Sequence, residues 1–230
     1  MATQVQHQTT AGHETTAEQR PTLFIVRHGE RIDETSNKAV WRAQTPRNRL
    51  FDPPLTETGA GQARAAAEFL RTRSFDRIYA SPCARTLATA KELSEALHLP
   101  VTVVPALAAC AAAVKKKGLG NLPFLKQTEM TSMCPGIDSF GADAPLGFEG
   151  ACAWVAARSP QALVVSHREG IRDLAREKLS LPYCAVGVFE QCGAQDWVLK
   201  ALHRNTGELL VSRARDPPRR APPSSNNRKK

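Results

Sequence analysis

Leu23-Phe24-Ile25-Val26-Arg27-His28-Gly29-Glu30-Arg31 runs from four consecutive apolar residues into a cationic cluster around one histidine. A short unbroken apolar run reads as a strand buried on both faces, the kind found in parallel sheets. A histidine between arginines at −1 and +3 is poor core filling. Gly29 permits a tight turn and close approach of an anion. Arginine forks match phosphate oxygens, and a neutral imidazole between them can attack phosphorus.

Working outward, strands alternate with helices. Thr56 is a fitting N-cap for a helix over 57–73, with Ala63, Ala66, Ala67 and Leu70 at helical spacing and Glu57 in the first turn. A strand over 75–80 precedes a helix over 84–97, and a strand over 101–104 ends at Pro105. A further strand over 162–166 leads into a helix over 169–179. Strands over 186–190, 197–202 and 209–212 close the pattern, the last after an Asn205-Thr206-Gly207 turn. This alternation predicts an α/β three-layer sandwich, a mostly parallel central sheet with helices on both faces. Ligands of such sheets bind beyond the carboxyl ends of the strands, where His28 and His167 fall.

One domain over 21–212 is expected, with polar tails at 1–20 and 213–230 predicted to be disordered. The stretch 105–148 lacks a clean period and reads as an insertion over the active-site edge. The chain's 230 residues carry a net charge of +9. The tail 213–230 holds +6 of it and 1–20 holds −1, which leaves +4 for the centre. The basic tail is read as solvated, with nucleic-acid contact or a nuclear address as the lesser alternative. The absence of a long apolar run predicts no membrane span, and the polar N-terminus predicts no secretory leader. The six irregularly spaced cysteines then suggest reduced thiols in cytoplasm or nucleus, with no metal site and no cofactor.

Four elements together resemble the histidine phosphatase superfamily, the phosphoglycerate-mutase-like proteins. Arg27-His28-Gly29 follows a strand. Pro54-Leu55-Thr56 with Gly59 and Gln62-Ala63 is similar to the family's PLTxxGxxQA element. Ser81-Pro82 with Arg85 and Thr89-Ala90 is similar to SPxxRxxxTA. Ser166-His167 resembles the second active-site histidine. The full RHGER resembles the branch containing the phosphatase domains of suppressors of T-cell receptor signalling. The resemblance implies His28 as nucleophile, with Arg27, Arg85 and His167 holding the phosphoryl group and Arg31 adding to the pocket. Arg168 and Arg172 either line a solvated helix turn or reach a second anionic group.

The family's acid is a Glu shortly after the third strand, and Ala109 stands where it is expected. Glu129 or Glu149 are alternative candidates for the role. The readings are therefore ordered. The first is phosphomonoester hydrolysis on a phosphorylated small molecule or phosphoprotein, with a preference for aryl phosphates or phosphotyrosine. The second is a phosphate-binding or assembly module with little or no activity, and the third is a phosphoglycerate-type mutase. Cys152 and Arg158 share the bare spacing of cysteine-dependent phosphatases, but the glycine-free stretch between them reads as helix rather than a phosphate cradle. Oligomeric state is not legible.

Overall fold

The computed structural model describes residues 20–109 and 124–213. The two expected tails, apart from their innermost residues, and the Lys115–Lys117 run lie outside the described residues. An eight-stranded sheet forms the middle layer, in the order β4-β3-β2-β5-β1-β6-β7-β8. Its strands are β1 Thr22–Arg27, β2 Ile78–Ala80, β3 Val101–Val103, β4 Ile137–Phe140, β5 Gln161–Ser166, β6 Val186–Gln191, β7 Trp197–His203 and β8 Leu209–Ser212. The five strands from β4 to β1 are parallel, and β6, β7 and β8 add an antiparallel meander beside β1.

Alternate residues of the central strands serve opposite faces, which explains their continuous apolar composition. Leu23, Ile25, Ala162 and Val164 belong to one core. Phe24, Val26, Leu163 and Val165 belong to the other. The second core is closed by α2 Glu57–Leu70 and α3 Ala84–Leu97, through Ala63, Ala66, Ala67 and Leu70 against Leu87, Ala90 and Leu93. The small residues of α2 let the helix lie close to the sheet and to α3. On the first face sit α5 Phe148–Ala156 and α6 Arg168–Ala175. Thr56 caps α2 as expected, its hydroxyl accepting from the Gly59 N–H at 3.0 Å.

Three differences from the sequence reading have physical causes. Part of 105–148 is integral to the fold rather than a cover. There α4 Gln127–Met133 buries Met130 in the second core, and β4 pairs with β3 as the sheet edge. The helix after His167 stops at Ala175, because Arg176 turns left-handed at φ 55°. Finally, α1 Lys38–Gln44 is a helix with no buried residue, so no apolar stripe announced it.

Candidate active site

Three neighbouring parallel strands, β2, β5 and β1, end at the same edge, and each delivers a polar side chain of the candidate site just beyond its last paired position. Ser81 follows β2, His167 follows β5 and His28 follows β1. Backbone bonds fix them, since the N–H of His28 donates to the Ser166 carbonyl and that of Ser81 to the Val165 carbonyl, both at 3.0 Å. The two imidazoles are nearly fully buried, with ring centroids 5.6 Å apart.

The partners of each ring assign its tautomer. His28 Nδ1 lies 2.8 Å from the Gly29 carbonyl oxygen, which can only accept, so Nδ1 carries the proton and the lone pair is on Nε2. Burial lowers the His28 pKa well below the ordinary histidine value, and the charges of Arg85, Arg27 and Arg31 lower it further. His167 is set the other way round. Its Nδ1 faces the Arg85 Nη2 donor at 3.3 Å, so Nε2–H donates to Ser81 Oγ at 2.9 Å. Burial lowers the His167 pKa well below the ordinary histidine value as well, and the charge of Arg85 lowers it further.

Arg85 is held from behind by Asp52, an anchor the sequence reading missed. Their ion pair measures 3.1 Å and is almost wholly buried. Both Asp52 oxygens also accept from the Ala84 N–H at the start of α3, at 2.9 and 3.0 Å. Burial raises the Asp52 carboxyl above its usual range, while Arg85 and the Ala84 N–H pull it back down. The signal was present: Asp52 directly precedes the Pro53-Pro54-Leu55-Thr56 element.

The motif glycines and threonines weld the loop after β1 to the two helices. The Gly29 N–H donates to Thr89 Oγ1 at 3.1 Å, and the Glu30 N–H to Gln62 Oε1 at 2.9 Å. A Cβ on Gly29 would sit 2.4 Å from the Gly59 carbonyl oxygen, and one on Gly59 would sit 2.3 Å from the Glu30 carbonyl oxygen. Gly29→Ala is thus expected to cost about 1–3 kcal/mol through backbone overpacking. By contrast Gly61→Ala, whose Cβ meets only Arg64 Nη2 at 3.8 Å, should hold or raise stability through helix propensity. Paired thermal melts check this, and equal melting temperatures would refute the close-contact argument.

On the opposite side, Arg27 is buried, donates to the Leu181 carbonyl and stacks on the Tyr183 ring, with its Cζ 4.0 Å from the centroid. Tyr183 also lies 6.0 Å from the His28 ring and donates its hydroxyl to Glu34. Burial and that hydrogen bond push the Tyr183 phenol up to about 12. Arg31 is engaged by Asp33 at 2.9 Å and Glu34 at 2.8 Å, yet its charge still acts on both histidines. Glu34 and Tyr183 were not singled out from sequence, since 149 residues separate them and neither belongs to a motif.

The remaining candidates are placed differently. Arg168 pairs with Glu169 at 3.2 Å, half exposed, and its charge reaches Arg27. Arg172 gives both Nε and Nη2 to the Leu179 carbonyl, at 2.9 and 2.6 Å, and so braces the end of α6. Glu129 caps α4 through the Lys126 N–H and faces Arg49, and Glu149 faces Arg176. The structure does not bring either carboxylate beside His28. Cys152 lies on α5, its thiol pushed up by burial, while Arg158 stacks on Trp154 and pairs with Asp143. No phosphate cradle joins them.

Residues 23–113 match the histidine phosphatase superfamily (branch 1). Among curated relatives, an uncharacterized phosphatase PhoE of Bacillus subtilis is 38% identical over 79 residues, 34% of this chain and 37% of that one. A probable phosphoglycerate mutase GpmB of Yersinia enterocolitica is 35% identical over 85 residues, 37% of this chain and 36% of that one. The chain thus spans little more than a third of the length of these relatives. The solved structure of the protein histidine phosphatase SixA with tungstate has 17% identity and a TM-score of 0.50, covering 80% of this chain and 97% of that one, which shows a shared fold. The family match covers 23–113, which includes His28 and Arg85, while His167 lies outside it.

Proposed function

We propose that the chain is a phosphomonoester phosphatase working through a phosphohistidine on His28 Nε2. The observation that carries this is the His28 Nδ1–Gly29 carbonyl bond, which leaves an unprotonated nucleophile in a buried pocket beside Arg85 and His167. Nε2 attacks phosphorus as the ester P–O bond breaks, and the departing oxygen takes a proton from water. Water then attacks the phosphohistidine, the N–P bond breaks, and inorganic phosphate leaves with His28 restored. Arg27, Arg85 and His167 stabilise the charge on the transferring group, which is most of the catalysis such a reaction needs. The family match and the phosphatase-named relative support this reading.

Ala109 decides the substrate. Ser166 Oγ donates to the Leu107 carbonyl at 2.8 Å, which ties the turn after β3 to the residue before His167, and Ala109 follows two positions later. Without a carboxylate there, good leaving groups are favoured, so aryl phosphates or phosphotyrosine are the preferred class. The wild type should hydrolyse p-nitrophenyl phosphate without metal and faster than glycerol phosphate. Ala109→Glu should raise the alkyl rate by about 10²-fold, the scale of general acid catalysis. The same vacancy favours the second reading, a phosphate-binding module. Vanadate binding with no turnover of either ester would decide for it, and interconversion of phosphoglycerates would decide for a mutase.

A further inference from the structure

The 17 residues 35–51, between the RHGER loop and Asp52, contain Lys38, Arg42, Arg47 and Arg49 and no acidic residue. They lie between Arg31, which forms an isolated bridge to Leu55, and Asp52, which pairs with Arg85, so the pocket's own connections hold both of their ends at its edge. Within them α1 buries nothing, Val40 is 58% exposed and Trp41 is half-buried. A seven-residue helix without a buried face gains little stability alone and keeps its apolar side in water. Arg49 is spent on Glu129 and influences Asp52. Lys38, Arg42 and Arg47 are exposed and have no carboxylate within ion-pair distance among the described residues. Lys38 and Arg42, four apart, share one face of α1.

We infer that residues 35–51 form a docking strap for an acidic polypeptide segment flanking the phosphorylated residue of a protein substrate. This rests on the phosphatase reading and narrows its substrate class. A compact polyphosphate needs cations converging on one point. Here they are strung along a helix and the following turn beside exposed Val40 and half-buried Trp41, which suits an extended acidic chain with an apolar side chain. Surface ion pairs are individually weak, so the strap acts through several at once.

The test compares two phosphotyrosyl peptides that differ only in Asp/Glu or Ser/Asn flanks, with p-nitrophenyl phosphate as reference. The wild type should show about a tenfold higher kcat/KM for the acidic peptide at low salt, the sum of a few weak pairs. That preference should vanish at about 0.5 M salt, where the Debye length is a few ångströms. It should also vanish in Lys38→Ser/Arg42→Ser/Arg47→Ser, with p-nitrophenyl phosphate turnover unchanged. Equal rates for the two peptides in the wild type, or a preference kept in the triple variant, overturns the strap. So does a short RNA competing better than the acidic peptide. If no phosphate ester is hydrolysed, the phosphatase reading fails on its own. Fluorescence anisotropy of the labelled acidic peptide then still judges the strap, with binding lost in the triple variant expected and unchanged or absent binding refuting it.

Discussion

His28→Ala is expected to lower phosphomonoesterase kcat/KM by about 10⁴-fold or more, the scale of loss when a covalent nucleophile is removed. The variant should still bind vanadate, because Arg85 is oriented by Asp52 and His167 by Ser81, neither through His28. Quenching the wild type during turnover should trap an acid-labile, alkali-stable phosphoenzyme that the variant never forms. Retained activity in His28→Ala would move the nucleophile elsewhere. The pH profile follows from the same ring. Its pKa is depressed by burial and by Arg85, so Nε2 stays unprotonated through pH 6.5, and the acid limb of kcat/KM should begin below that value. Stability carries the matching sign. In the unfolded chain both imidazoles take up protons near pH 6.5, while folded His28 and His167 resist them. Stability is therefore full at higher pH and falls as pH drops through 6.5, by up to about 1.4 kcal/mol per pH unit for each histidine.

What the sequence revealed depended on burial. Strands β1 and β5 are buried on both faces, so LFIV and ALVV stood out as unbroken apolar runs that place His28 and His167 at one edge. Helices α2 and α3 carry periodic apolar positions and were legible for the same reason. By contrast β4 has a single buried residue, and α1 has none, so neither left a periodic trace. The site divides similarly. Residues inside a motif were found, whereas those that support them through tertiary contact were not. Tyr183 meets Arg27 only because the loop before β6 crosses back over the end of β1, and Glu34 matters only through Tyr183 and Arg31. Arg172 is the converse. Its place beside the second histidine suggested a substrate contact, but α6 turns left-handed at Arg176, and the Leu179 carbonyl beyond that turn takes up its guanidinium.

Arg85→Ala is expected to cost about 3–5 kcal/mol of stability, because it leaves the Asp52 carboxylate buried without its cation. Loss of phosphate affinity alone would not account for that. Removing both partners as Asp52→Leu/Arg85→Met should cost much less than the two single losses added together, since no buried charge is stranded. Denaturant titrations of the four proteins give the coupling energy, and strict additivity would mean that the pair is energetically idle. The pH dependence distinguishes a stranded carboxylate from a mere cavity. Burial already raises Asp52 above its unfolded value of 3.8, and without Arg85 it rises further. A raised carboxyl takes up its proton in the folded state first, so lowering the pH stabilises the folded form relative to the unfolded one. The deficit of Arg85→Ala should consequently shrink between pH 7 and about 4, whereas a deficit caused by lost packing would stay constant. The neutral Asp52→Asn variant keeps an acceptor for the Ala84 N–H but leaves Arg85 without its counter-charge. Its deficit should not shrink that way. Its vanadate affinity then reports whether Asp52 serves the site by orienting Arg85 or only by neutralising it.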